Sequence, residues 1–164
     1  EWSQDAKQIL TENLEEEDGT RYGTSHPTLW SNFAEGVGAT EASLAQATHR
    51  RGIRNVVGSF TKAANTSLAQ ALGSLFAYES QVPEVATSKI EGLKQNYGIT
   101  DDRTLAFFEV HRTADIAHRE SLLQVIEGLS PAEKAEAQTA ADDACLALWN
   151  FLTDVCHHNG ITCA

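Results

Sequence analysis

Methionine is absent from these 164 residues, so the chain as it stands cannot begin at an initiator residue. It is expected to be a fragment of a longer polypeptide or to lack a processed leader. Cysteine is scarce and late: Cys145, Cys156 and Cys163 form no CxxC pair, and no secretory signal opens the chain. That excludes a disulfide-stapled secreted scaffold and predicts a reduced cytoplasmic protein, with Cys145 in the core and Cys156 and Cys163 terminal, all outside any site. Bases are few, 12 against 23 acids for a net charge of −11, which repels nucleic-acid phosphates and anionic membrane surfaces. No apolar run approaches the roughly 18 residues that a membrane span needs, and the amphipathic segments are not basic. A soluble protein without nucleic-acid or membrane partners is expected.

What is present is ordinary for a globular protein: 41% apolar and 21% charged residues. The length suits one domain over 1–164 with a core of its own. With three prolines and apolar residues recurring every three or four positions, the pattern predicts an all-α bundle. A first helix runs from a Ser3 cap to about Asp18, with Ala6, Ile9, Leu10 and Leu14 inward and Gly19 ending it. A polar loop leads to His26, and Pro27 opens a second helix through Leu29, Trp30 and Phe33 to Gly36-Val37-Gly38. Val56, Val57 and Phe60 mark a third, punctuated at Asn65-Thr66-Ser67. The apolar run from Leu68 is expected to break near Gln81, ahead of Pro83, and to resume through Val85, Ile90 and Leu93 to Gly98. Another helix runs from Asp101 or Asp102 to Gly128, and Ser130-Pro131-Ala132-Glu133 starts the last, to about His157.

Chemistry concentrates in three places. On one helix, His111, Asp115 and His118 fall within about 60° of one another at 100° per residue. The neighbours Phe107, Phe108, Ala114, Ile116, Leu122 and Val125 are apolar, so this stripe of imidazoles and carboxylate is expected to be buried and to need a cation or other partners. Glu79 is the lone charge between Leu68 and Ser80 and continues the line of Leu72, Leu75 and Phe76. A carboxylate there requires a metal, or a salt bridge to Arg or Lys. Third, Glu15, Glu16, Glu17 and Asp18 sit in the last turn of the first helix, where the macrodipole disfavours acids. Glu17 shares the stripe of Ala6, Leu10 and Leu14, Glu16 lies on Ile9's side, and Glu15 and Asp18 point away. With His26, the candidate donors are three carboxylates and three imidazoles. An oxygen/nitrogen set without thiolate suits iron or manganese, although ligand type alone also admits zinc. Carboxylate-rich bundles are a known setting for paired iron. His49, His157 and His158 read as surface residues.

These residues resemble the haem-oxygenase-like di-iron oxidases, akin in fold to the TenA and PqqC proteins. The resemblance is carried by Asn13-Leu14-Glu15-Glu16-Glu17-Asp18-Gly19, His26-Pro27-Thr28-Leu29-Trp30, Tyr78-Glu79-Ser80-Gln81-Val82-Pro83-Glu84 and the His111, Asp115, His118 triplet. It covers most of the chain. It implies a haem-oxygenase-like helical bundle, in this chain without the family's N-terminal helix. It also implies two irons (or iron and manganese) on Glu17, His26, Glu79, His111, Asp115 and His118, with Glu16 competing for the place of Glu17. Dioxygen would be co-substrate, and a homodimer is expected. Within the family the chain is similar to the CADD-type proteins that form para-aminobenzoate for folate from their own Tyr and Lys side chains. Lys89 matches the family's lysine; Tyr22, Tyr78 and Tyr97 do not match its tyrosine, which belongs before Glu1.

The expected activity is therefore oxidation of an amine, amino acid or aromatic group, from a small molecule or from the protein's own side chains. Phe107, Phe108, Trp30 and Tyr78 would exclude water, and Lys89 and Tyr78 are the candidate catalytic groups. Three rivals share the fold: a metal-free TenA- or PqqC-like enzyme of cofactor biosynthesis, a partner- or ligand-binding bundle, and a zinc or manganese hydrolase.

Overall fold

The computed structural model describes residues 4–21 and 23–162, so the Ser3 cap, Tyr22 and Cys163 lie outside the described residues. Among those residues there are eight helices and no strand: α1 Gln4–Glu17, α2 His26–Gly36, α3 Glu41–Ala45, α4 Arg51–Thr66, α5 Leu68–Glu79, α6 Val82–Tyr97, α7 Asp102–Glu127 and α8 Pro131–His158. No helix of the described residues is long and apolar enough to cross a membrane.

Local chemistry explains most boundaries. Ser25 caps α2 by accepting from the Thr28 N–H, and this makes His26 itself, rather than Pro27, the first helical residue. The break after Glu79 comes where Pro83 enters the first turn of α6, as its missing N–H and fixed φ favour. Gly98, at φ +68°, closes α6 in the left-handed region. Ser130 and Glu133 form the expected reciprocal capping box at the start of α8. Asp101 accepts from the Thr104 N–H at 2.9 Å ahead of α7.

The chain forms two compact units, Glu1–Ala47 with Glu79–Ser121 and Thr48–Tyr78 with Leu122–Ala164. In the first, Ala86, Ile90 and Phe108 are buried, with Phe33, Leu93 and Phe107 packed against them. Edge-to-face rings tie this cluster together: Phe33 to Phe108 at 4.9 Å and Trp30 to Phe107 at 4.8 Å between centroids. In the second, helices approach closely through small residues. Ala63 of α4, Ala69, Leu72 and Ala77 of α5, and Ala137, Ala140 and Ala144 of α8 are buried. Arg50 offers α4 no side-chain cap, and Asp154 of α8 instead accepts from the Gly52 N–H at 3.3 Å. Gly73 of α5 lies so near α8 that a Cβ would sit 2.0 Å from the carbonyl oxygen of Ala137.

Three expectations need correction. Leu14 is 63% exposed rather than inward, because the buried face of α1 follows Ala6 and Asn13 and leaves Leu14 on its edge. Cys145 is exposed, not in the core, since Ala144 takes the buried position beside it. The helix α3 was not anticipated; Thr40 and Ser43 cap it reciprocally, a variant of the usual Glu/Gln box.

The contact at Gly73 predicts that Gly73→Ala forces α5 and α8 apart and costs about 1–3 kcal/mol. Gly58 of α4 has open space around its Cβ position, so Gly58→Ala should stabilise by roughly 0.5–1 kcal/mol. Denaturant unfolding of the two variants checks the contrast; equal effects would remove the close approach as the reason for glycine at 73.

Candidate metal centre

The buried side of α1 is a single ridge: Ala6 is fully covered, and Asn13, Glu16 and Glu17 continue it at helical spacing. The acid run at the end of α1 therefore divides. Glu15 is exposed, and Asp18 accepts from the N–H and hydroxyl of Thr20, bonds that hold its carboxyl below the usual range. Glu16 and Glu17 each reach a histidine, Glu16 that of α7 and Glu17 that of α2. Gly19, at φ +79°, then packs where a Cβ would lie 2.6 Å from Gly23 O and Ser25 N. That turn delivers His26, buried at the start of α2.

His26 Nδ1 lies 2.8 Å from Glu17 Oε2, yet the pair is not aligned as a hydrogen bond. The His26 ring lies tilted beside that of His111 with 4.4 Å between centroids, and Phe107 stacks obliquely on His111 at 4.2 Å. Donor atoms of Glu17, His26 and His111 all fall within 4.8 Å of one another, a spread a single cation could bridge. His111 Nδ1 is 2.7 Å from the Phe107 carbonyl, which can only accept. In the neutral ring this places the proton on Nδ1 and the lone pair on Nε2.

A second group adjoins the first along α7. Asp115 is buried, and its Oδ1 is 3.5 Å from His118 Nδ1. His118 Nε2 is 2.8 Å from Glu16 Oε2. Glu79, 4% exposed at the end of α5, accepts from the Asn13 amide at 2.7 Å on Oε1. Its partner is a neutral amide rather than the Arg or Lys that a structural salt bridge would use. Asn13 was not singled out from the sequence; the one signal was a polar residue on the stripe that joins Ala6 to Glu17.

Burial pushes the Glu79 carboxyl up to about 7, with the Asn13 bond and His118 opposing and Asp115 and Glu17 adding to the rise. The Asp115 carboxylate drives His118 up to about 9 against its own burial, helped by Glu79 and Glu16. Among the described residues, four buried side-chain atoms have no hydrogen-bond partner: His26 Nδ1, Glu79 Oε2, Asp115 Oδ2 and His118 Nδ1. Unpartnered buried donors of this kind are costly alone and are what a divalent cation satisfies. The nitrogen and oxygen set fits iron.

Tyr78 and Lys89 are exposed, unlike the buried groups above. Tyr78 is 41% exposed and meets Phe60 edge-on at 6.1 Å. Lys89 is exposed on α6, whose buried line is Pro83, Ala86 and Ile90. His49, His157 and His158 are exposed, as expected.

The protonation pattern fixes a sign for pH. His118, raised from 6.5 to about 9, contributes stability that is complete below 6.5 and lost as pH rises through 9. Glu79, raised from 4.5 to about 7, is tolerated while neutral and penalises the fold as pH climbs through that interval. Metal-free protein should therefore melt at a higher temperature near about pH 5 than near about pH 9. A bound divalent cation should reverse the slope, since it takes deprotonated ligands. Thermal melts with and without metal check both, and a rising profile in the metal-free protein would contradict the burial of these groups.

Comparison with known proteins places this geometry. A family model described as iron-containing redox enzyme matches residues 1–150. The Nitrosomonas europaea protein named 4-aminobenzoate synthase is 40% identical over 156 residues, 93% of this chain and 62% of that protein. Its Chlamydia pneumoniae namesake is 34% identical over 149 residues, 90% of this chain and 65% of that protein. The chain thus spans less than two thirds of the length of these relatives. The crystal structure of a CADD-like protein of unknown function from Nostoc punctiforme superposes with a TM-score of 0.78 at 20% identity, covering 94% of this chain and 67% of that one. That match bears out the haem-oxygenase-like helical fold.

Proposed function

This chain belongs to the haem-oxygenase-like family of iron-containing redox enzymes, and on that premise we propose that it is a dioxygen-dependent di-iron oxidase that forms para-aminobenzoate. Glu17, His26 and His111 would hold one ion, and Glu79, Asp115 and His118 the other, with iron/manganese as the alternative pair. The observation that carries this reading is the set of four buried donor atoms without a partner, shared between the two groups. The relatives named 4-aminobenzoate synthase support the product; an amine, amino acid or aromatic group is the wider substrate class.

Bound ferrous iron supplies the electrons that dioxygen needs in order to react with a closed-shell organic group. The chain's own residues do the rest. The Phe107 carbonyl holds His111 by Nδ1, which would leave Nε2 for the ion. Phe107 meets His26 edge-on and lies obliquely on His111, with Trp30 packed edge-on behind it, and this ring pair would keep water from that side. Lys89 and Tyr78, both exposed, enter as groups to be tested at the substrate side, and a homodimer is the proposed assembly.

The test is anaerobic loading with Fe(II), elemental analysis, then exposure to dioxygen while visible absorption is followed. Unmodified protein should retain about two ions per chain, and His111→Ala and Glu79→Ala about one or fewer. Retention of less than about one ion by the unmodified protein, unchanged in both variants, would end the oxidase reading.

A further inference from the structure

We infer that Asn13 and Glu16, one turn apart on α1, are positioning residues of the metal centre, Asn13 holding Glu79 by its Oε1 and Glu16 holding His118 by its Nε2. This rests on the di-iron reading above and assigns roles to two side chains outside its six ligands.

Both bonds share one form. Asn13 Nδ2 donates to Glu79 Oε1 at 2.7 Å across 66 residues of sequence, and the other carboxylate oxygen, Oε2, is left buried without a partner. Glu16 Oε2 lies 2.8 Å from His118 Nε2 across 102 residues, and the other ring nitrogen, Nδ1, is buried 3.5 Å from Asp115 Oδ1 with no hydrogen bond formed. In each pair α1 occupies one polar atom of the group and leaves the second without a hydrogen bond. A hydrogen bond to the far side of a ligand fixes its orientation and, for imidazole against carboxylate, raises its basicity. On this assignment His118 faces the metal through Nδ1, with Nε2–H donated to Glu16.

The residue types fit that role. Glu79 already stands among Asp115, Glu17 and His118, so a Lys or Arg in place of Asn13 would cancel ligand charge and compete with the cation. An amide satisfies Oε1 while adding no charge. Glu16 and Glu17 are successive, about 100° apart on the helix, and cannot both aim at one point. Glu17 goes to His26 and Glu16 to His118. A short stretch of α1 therefore sets the spacing between the residue that opens α2, the residue that ends α5, and the imidazole on α7.

The experiment is anaerobic equilibrium titration with Mn(II) and with Co(II), reading affinity, stoichiometry and the Co(II) visible spectrum, beside melts of the metal-free protein. Asn13→Ala and Glu16→Ala should each weaken one of the two ions by about 10- to 100-fold and alter the Co(II) spectrum. Asn13→Leu keeps the bulk of the side chain without the donor and should behave as Asn13→Ala does. Glu16→Gln retains an acceptor for Nε2–H and should stay within about threefold of the unmodified protein. Glu15→Ala, on the exposed side of α1, should change nothing. Variants that melt earlier but titrate as the unmodified protein does would reduce both residues to structural ones and overturn the inference. Glu16→Gln as damaging as Glu16→Ala would make Glu16 a ligand and overturn it too. Unmodified protein that takes up neither ion would overturn the di-iron reading along with this one; normal uptake by it and by all the variants would overturn this one alone.

Discussion

The cost of taking carboxylates and imidazoles out of water governs this structure. Glu79, Asp115, His26 and His111 are buried, and several of their polar atoms meet no protein partner. An isolated buried carboxylate neutralises itself rather than stay charged, as the raised Glu79 carboxyl does. A folded chain that keeps four such groups in one place holds free energy that a cation can release, and its metal-free form is correspondingly less stable than an apolar equivalent would be. Sites of this kind exchange stability for function.

The rest of the first unit offsets that cost from one side. Phe33, Phe107 and Phe108 pack with Ala86 and Ile90, and the Phe107 ring, backed by Trp30, continues this apolar packing to His26 and His111. Aromatic edges against imidazole faces exclude water while leaving lone pairs free. The second unit uses a different device, glycine and alanine at the contacts of α5 and α8, so that backbones approach closely and no side-chain entropy is lost on burial.

How much of this could be read from the sequence depended on whether the signal lay within one element. His111, Asp115 and His118 share one helix, so helical periodicity alone placed them on a single face. Glu79 was visible as a lone charge in an apolar run, and its burial follows from that run. The end of α1 was harder. The position of an amphipathic face is uncertain by a residue when its apolar members are few, and Leu14 drew the expected face away from Asn13 and Glu16. Polar residues on a buried ridge look like solvated ones until their partners, 66 and 102 residues away, are known. The same limit explains Cys145, where a one-residue rotation separates the covered Ala144 from an exposed thiol.

The placement of the donors suggests why acids tolerate the unfavourable end of α1. Glu17 closes α1, His26 opens α2 and Glu79 closes α5, whereas His111, Asp115 and His118 lie inside the long helix α7. Interior helical positions are held by hydrogen bonds on both sides and give a rigid rail of donors. Helix ends have carbonyls or N–H groups to spare and can shift without breaking a ladder. Carboxylates at the C-terminal ends of α1 and α5 face the negative pole of each helix, which raises the cost of their charge and with it the gain when a cation arrives. The electrostatic misfit that made the Glu15–Asp18 run conspicuous is, on this view, part of what favours the metal. Asp18 escapes it through Thr20 and Glu15 through solvent, while Glu16 and Glu17 are left to meet histidines.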